Sequence, residues 1–193
     1  MKTRKYRQKQ RAAQQQETRE RIVDAAMALH EEIGPAATTI SALADRAGVQ
    51  RLTVYRHFAN DQEIFQACST KWMGRHPPPD LSAIPAGNAA EATRAILLAL
   101  YRYYDATQDM WHSLYQDLGK VDGLDEAMGG FDDYLATAEK AVLSTWVPQR
   151  SKKLRATVRH ALRFSSWQSL AGQGLKPGSM ATLVCTWIAA AAA

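Results

Sequence analysis

The sequence predicts an all-α protein, with a small N-terminal head of three short helices, a fourth helix behind them, and a larger helical-bundle body. Three observations predict it. Apolar residues recur at spacings of three and four along most of the chain, as they do on one face of an α-helix. Capping residues and Gly or Pro breakers stand at the ends of those periodic runs. No stretch alternates convincingly between apolar and polar residues as a half-buried strand would, and no segment repeats internally. The chain has 193 residues, 46% of them hydrophobic, which suits a packed core and excludes a disordered polymer.

Residues 1–17, MKTRKYRQKQRAAQQQE, read as a basic, flexible arm. The first helix then begins at Thr18, a capping residue, and turns Ile22, Ala26, Leu29 and Ile33 inward. Gly34 and Pro35 stop it. Thr38 or Thr39 caps a second helix with Ile40, Leu43, Ala44 and Ala47 inward. That helix is only about nine residues long, too short to persist in water unless packed. Gly48 supplies a left-handed turn, and a third short helix from Gln50 to Phe58 is anchored by Val54 and Phe58. Asn60 and Glu63 form a capping box for a fourth helix running through Ile64, Phe65 and Cys68 towards Trp72.

The segment GRHPPPDLSAIPAG, residues 74–87, breaks helix repeatedly, which places the head at 18–72 and the body at 73–193. Within the body, helices are expected over 91–107, around 111–118, over 124–146 with an interruption at Gly129-Gly130 and a stop at Pro148, and over 151–171. A last helix carries Met180, Leu183, Val184, Trp187, Ile188 and Ala191 at helical spacing.

Charge divides the chain. Residues 1–60 carry 11 Lys/Arg against 6 Asp/Glu, whereas residues 61–193 carry 13 of each. The excess positive charge sits wholly in the N-terminal third, so that part expects an anionic partner, nucleic acid or membrane surface. Six of the first eleven residues are basic and no acid precedes Glu17, which makes Arg4, Lys5 and Arg7 candidates for touching DNA phosphates or the minor groove; otherwise they belong to a solvated tail. The two cysteines, Cys68 and Cys185, match no metal or redox spacing and read as reduced thiols of a cytoplasmic protein. The longest apolar run, residues 181–193, is too short to span a bilayer.

Two short helices joined by a Gly-containing turn make a helix-turn-helix, whose second member enters the major groove. With Val54 and Phe58 inward, Gln50, Thr53 and His57 face the other way, and Arg51 and Leu52 project from the start of the helix. Arg and Gln pair bidentately with guanine and adenine, and Leu52 can meet a thymine methyl. Thr53, Tyr55 and His57 are donors of the kind that hold phosphates. No acid interrupts this face.

The stretch TTISALADRAGVQRLTVYRHFANDQEIFQAC resembles the DNA-binding head of TetR-type transcriptional regulators. The likeness lies in an Ile/Leu-Ala-x-x-Ala-Gly-Val turn followed by Thr-Val-Tyr-x-His-Phe, and it covers residues 18 to 68. The resemblance implies that Thr39 and Ser41 make backbone or base contacts. It puts Gln50, Arg51 and Leu52 at base-reading positions, and Thr53, Tyr55, Arg56 and His57 mainly at phosphates. Departures are Asp61 where Lys is common, Leu52 where a small residue is usual and Gln50 where Ser is frequent.

It also implies a sequence-specific regulator, most simply a repressor released from a palindromic operator by a small-molecule effector, acting as a homodimer and using no cofactor. The apolar stripe of the last helix supports a dimer independently, with Leu154, Val158, Leu162, Leu183, Val184, Trp187 and Ile188 as interface candidates. An effector pocket would be walled by Tyr103, Tyr104, Met110, Trp111, Tyr115, Phe131, Phe164 and Trp167, which can equally be ordinary core. Rival functions are a non-specific architectural DNA-binding protein and a helical enzyme using Asp105, Asp109 and His112 on a metal. The sequence lacks HExxH, GxSxG and a phosphate-cradling glycine loop.

Overall fold

The computed structural model describes residues 2–84, 87–146 and 151–193. Helices run over Lys2–Ile33 (α1), Ile40–Ala47 (α2), Arg51–His57 (α3), Asp61–Arg75 (α4), Ala89–Ala106 (α5), Gln108–Asp117 (α6), Leu124–Thr145 (α7), Lys152–Ala161 (α8), Phe164–Ala171 (α9) and Pro177–Ala192 (α10). A single 3-10 turn lies at Leu81–Ala83. No strand occurs among the described residues, and none of their helices is long and apolar enough to cross a membrane. The chain divides into two units, residues 1–76 with 112–128, and residues 77–111 with 129–193.

In the first unit, α1 packs on α2 and on α4, and α2 packs on α3. Ile22, Ala26 and Leu29 of α1 are buried with Leu43 and Ala44 of α2, Val54 of α3, and Ile64 and Phe65 of α4. Thr39 caps α2 by accepting from the Ala42 N–H, and Gly48 takes the left-handed conformation at φ 65°. Only glycine enters that region freely, so the corner depends on it. At α4, Asn60 accepts from the Glu63 N–H, while the Glu63 carboxylate reaches one residue past the cap to the Ala59 N–H.

Two expectations for α1 need correction. The helix does not start at Thr18. It runs from Lys2, and the Thr18 hydroxyl donates to the Gln14 carbonyl one turn back. The run RAAQQQE is made of good helix formers, and extending a helix already nucleated by packing costs little. Ile33 is 50% exposed instead of buried, because it is the final helical residue and Gly34 turns the chain away.

Residues 112–128, read from sequence as part of the body, cluster with the head. Leu114, Leu118 and Val121 pack against Phe65, Leu124 and Ala127. Asp117 accepts from the Ala36 N–H at 2.8 Å, Ser113 donates to the Glu31 carbonyl at 3.1 Å, and Ser69 donates to the Ala127 carbonyl at 2.7 Å.

In the second unit, α10 packs on α5 and α8. Asn88 and Glu91 form a reciprocal capping box at the start of α5, and Pro177 opens α10. α7 runs unbroken through Gly129-Gly130, against expectation. Burial of neighbouring Met128 and Phe131 outweighs the roughly 1 kcal/mol that each interior glycine costs. Residues 151–171, expected as one helix, break between α8 and α9. The tyrosines of α5 explain the break: the Tyr101 hydroxyl donates to the Ala161 carbonyl and the Tyr104 hydroxyl to the Leu162 carbonyl. These buried donors satisfy carbonyls that a continuing helix would have consumed. The stop expected at Pro148 lies outside the described residues.

Candidate nucleic-acid interface

The helix-turn-helix is built by two helices too short to stand alone, α2 of eight residues and α3 of seven. Val54 is fully buried and Phe58 1% exposed, and these two pin α3 by its inner face. Everything between and around them is turned outward. Gln50, Arg51, Leu52, Tyr55 and Arg56 are exposed, and Thr53 and His57 are half-buried. Leu52 is 57% and Tyr55 52% exposed, so both side chains are open to a partner.

Among the described residues, none pairs with the side chains of Gln50, Arg51, Thr53, Tyr55, Arg56 or His57 through a hydrogen bond or ion pair. No carboxylate occurs between Asp45 and Asp61. A face so supplied with donors, with no carboxylate among them, is complementary to phosphate oxygens and to the base edges of the major groove.

Thr39 has two uses. Its oxygen accepts the Ala42 N–H at 3.1 Å, which leaves the hydroxyl proton free to donate outward. Ser41, in the first turn of α2, is half-buried. Asp61 is exposed in the first turn of α4 beside Glu63, where acids favour the helix and disfavour a phosphate.

Arg19 was not visible to sequence reasoning as a member of this site. Its guanidinium lies 4.1 Å from the Phe58 ring centroid and donates to the His57 carbonyl at 2.9 Å. It closes the C-terminal end of α3. No motif marks it, since its role comes from α1 crossing that end. Arg4, Lys5 and Arg7 are exposed on the first turns of α1.

His30, at the end of α1, is 4% exposed and lies against the Phe65 ring at 5.3 Å. Burial lowers its pKa to about 4, with nearby Asp117 pulling weakly the other way. It is neutral at physiological pH. Burial likewise pushes the Cys68 thiol up to about 12, so this thiol is inert.

The body candidates fall into two groups. Tyr103, Tyr104, Met110, Trp111, Phe131, Phe164 and Trp167 are buried in the second unit. Their rings pack directly: Trp111 on Phe131 at 4.3 Å, Phe164 on Trp167 at 5.2 Å and Tyr104 on Phe164 at 5.4 Å between centroids. Tyr115 falls in the first unit, on the part of α6 that clusters with the head. Of the dimer candidates, Leu154, Val158, Leu162, Val184 and Ile188 do not face outward: all are buried within this chain. The packing of α10 on α8 and α5 covers them. Leu183 and Trp187 remain exposed, at 37% and 42%. No group of three or more His, Cys, Asp or Glu side chains among the described residues is placed to hold a metal ion.

Known proteins share this architecture. The family model described as bacterial regulatory proteins, tetR family, matches residues 22–68. The HTH-type transcriptional regulator SrpR of Pseudomonas putida is 31% identical over 116 residues, 60% of this chain, which spans about half (52%) of that relative's length. The uncharacterized HTH-type transcriptional regulator TtgW, also of Pseudomonas putida, is 31% identical over 116 residues, again 60% of this chain, and here the match covers 82% of the relative. The crystal structure of a tetR-family transcriptional regulator from Streptomyces coelicolor shares the fold with a TM-score of 0.64 at 18% identity, over 91% of this chain and 80% of that one. Its head, its fold and its regulator relatives together place this chain in the TetR family of DNA-binding transcriptional regulators.

Proposed function

We propose that the protein is a repressor that binds a palindromic operator as a homodimer and leaves it when a small molecule binds the body. The observation that carries the DNA reading is the outward, acid-free and internally unpaired face of α3. Gln50, Arg51 and Leu52 read base edges, Thr53, Tyr55, Arg56 and His57 hold phosphates, and Thr39 and Ser41 contact the neighbouring backbone. Occupying an operator inside a promoter obstructs polymerase, so repression needs no further contact. Action at a chromosomal operator places the protein in the cytoplasm.

Dimerisation rests on a smaller surface than the apolar stripe of α10 suggested. Leu183 and Trp187, one helical turn apart, remain available to a second copy. A two-fold dimer presents two copies of α3 about 34–36 Å apart, the spacing of successive major grooves.

The effector enters among the packed rings of the second unit. Tyr134 supports this: its buried hydroxyl has no hydrogen-bond partner among the described residues, and its ring stacks on Phe131 at 5.7 Å. Burial holds that phenol well above its ordinary range, so it stays a protonated donor. An apolar, ring-bearing molecule with one acceptor would satisfy it, at the cost of moving side chains that now touch. Release follows if that rearranged body is bound more tightly than the DNA-competent one.

Selecting genomic fragments on the purified protein tests the operator reading. One inverted-repeat motif, bound on the order of a thousandfold more tightly than random duplex at a stated salt concentration, is expected. Equal affinity for every fragment would instead favour a non-specific architectural protein.

A further inference from the structure

We propose that the first half of α1 is a second DNA-binding element, a helical rod whose arginine face alone lies against the same duplex that α3 reads. It rests on the operator reading given above, and it deepens it.

α1 is continuous from Lys2 to Ile33, and residues 4–17 are exposed on all sides. On such a helix the basic residues separate by type. Arg4, Arg7 and Arg11 follow one another at three and four residues and form one stripe. Lys5 and Lys9 lie four residues apart on a stripe turned by about 150° from the arginines at 3.6 residues per turn. Among the described residues, no acid pairs with Arg4, Arg7, Arg11, Lys5 or Lys9.

Helical phase ties each stripe to a side of the head. Continued down α1, the arginine line runs into Ile22, Ala25, Leu29 and Glu32; the first three are buried in the core of the head, and Glu32, at the edge of the line, pairs with Arg46 of α2 at 2.6 Å. The lysine line runs into Gln16, Glu20 and Val23, which border one groove with Gln66, Ala67 and Thr70 of α4. The arginines therefore leave the head on the side of α2, which carries Thr39 and Ser41, and the lysines on the side of α4. Three guanidiniums spread over about 10 Å of helix axis, a length along which a duplex presents several phosphates. Charge complementarity and continuity with the helix-turn-helix face select DNA as the occupant.

The experiment compares three full-length proteins: wild type, R4Q/R7Q/R11Q and K2Q/K5Q/K9Q. Both variants lose three charges and keep a good helix former at each position, and circular dichroism checks that the fold is retained. Binding is measured across a salt series on a fragment recovered by the wild-type protein and on a random duplex of equal length. The arginine variant is expected to lower the slope of log affinity against log salt by about 2.7, close to 0.9 per phosphate lost, and the lysine variant by less than about 1. Equal losses would show a diffuse charged tail and overturn the proposal, as would an unchanged slope in the arginine variant. If wild type prefers no fragment over random duplex, the operator reading fails, while the slopes on random duplex still decide the arm.

Discussion

Arg19 caps the end of the reading helix by a double contact, its guanidinium over the Phe58 ring at 4.1 Å and its Nη1 donating to the His57 carbonyl at 2.9 Å. A carbonyl at a helix end has no partner inside the helix, and the cation over the ring adds a second attraction. Arg19→Ala is expected to lower stability by about 1–3 kcal/mol in urea denaturation. It should weaken binding to all operator variants alike, since it positions α3 and reads nothing. Arg19→Lys should recover little, because an ammonium cannot both cover the ring and keep the directed bond.

Arg51 differs from Arg19 in kind. It is exposed at the first turn of α3 and has no partner among the described residues. Arg51→Ala should cost about 1–3 kcal/mol of operator affinity and relax preference at one base position, with stability unchanged. Competition binding against single-base operator variants reads this directly. A uniform loss across the variants would make Arg51 a phosphate contact.

His30 gives the head a pH dependence. Its folded pKa of about 4 lies below the ordinary 6.5, because burial disfavours the charged imidazole. Between those values the unfolded chain binds a proton that the folded chain refuses. Stability from this group is therefore full above pH 6.5 and falls as pH drops towards 4, by about 3 kcal/mol in all. His30→Phe should flatten the urea midpoint over that window. Persistence of the same slope in the variant would assign it to other groups.

On α10, neighbouring positions should behave oppositely. Leu183→Glu with Trp187→Glu changes exposed groups, and is expected to yield a folded monomer in sedimentation equilibrium. Val184→Asp places a charge in a fully buried position and should prevent folding. A double variant that stays dimeric would move the dimer surface elsewhere.

The helix-turn-helix was legible because each part carries a local mark. Thr39, Gly48 and Asn60 are residues whose side chain or backbone freedom serves one position each, and Val54 and Phe58 show the inner face by spacing alone. The outward face of α3 followed from theirs by subtraction. Arg19 and the His30–Asp117 neighbourhood carry no such mark, since their partners lie 38 residues away for Arg19 and on α6 for His30.

Boundaries in the body failed for the same reason. Local propensity predicted a break at Gly129-Gly130 and none at Leu162, and packing reversed both: Phe131 is buried within the continuous helix, and Tyr101 and Tyr104 accommodate the break. A stripe such as Met180, Val184 and Ile188 announces that a face is buried but not what buries it. Its own chain does, which left Leu183 and Trp187 as the exposed remainder. By itself, then, the sequence determined the all-α class, the corner at Gly48 and the polar face of α3, because caps, turns and helical phase are properties of near neighbours. Tertiary structure alone decided which apolar stripes are core, that 112–128 belongs with the head, and that Arg19 closes α3, because those outcomes depend on which distant segments meet.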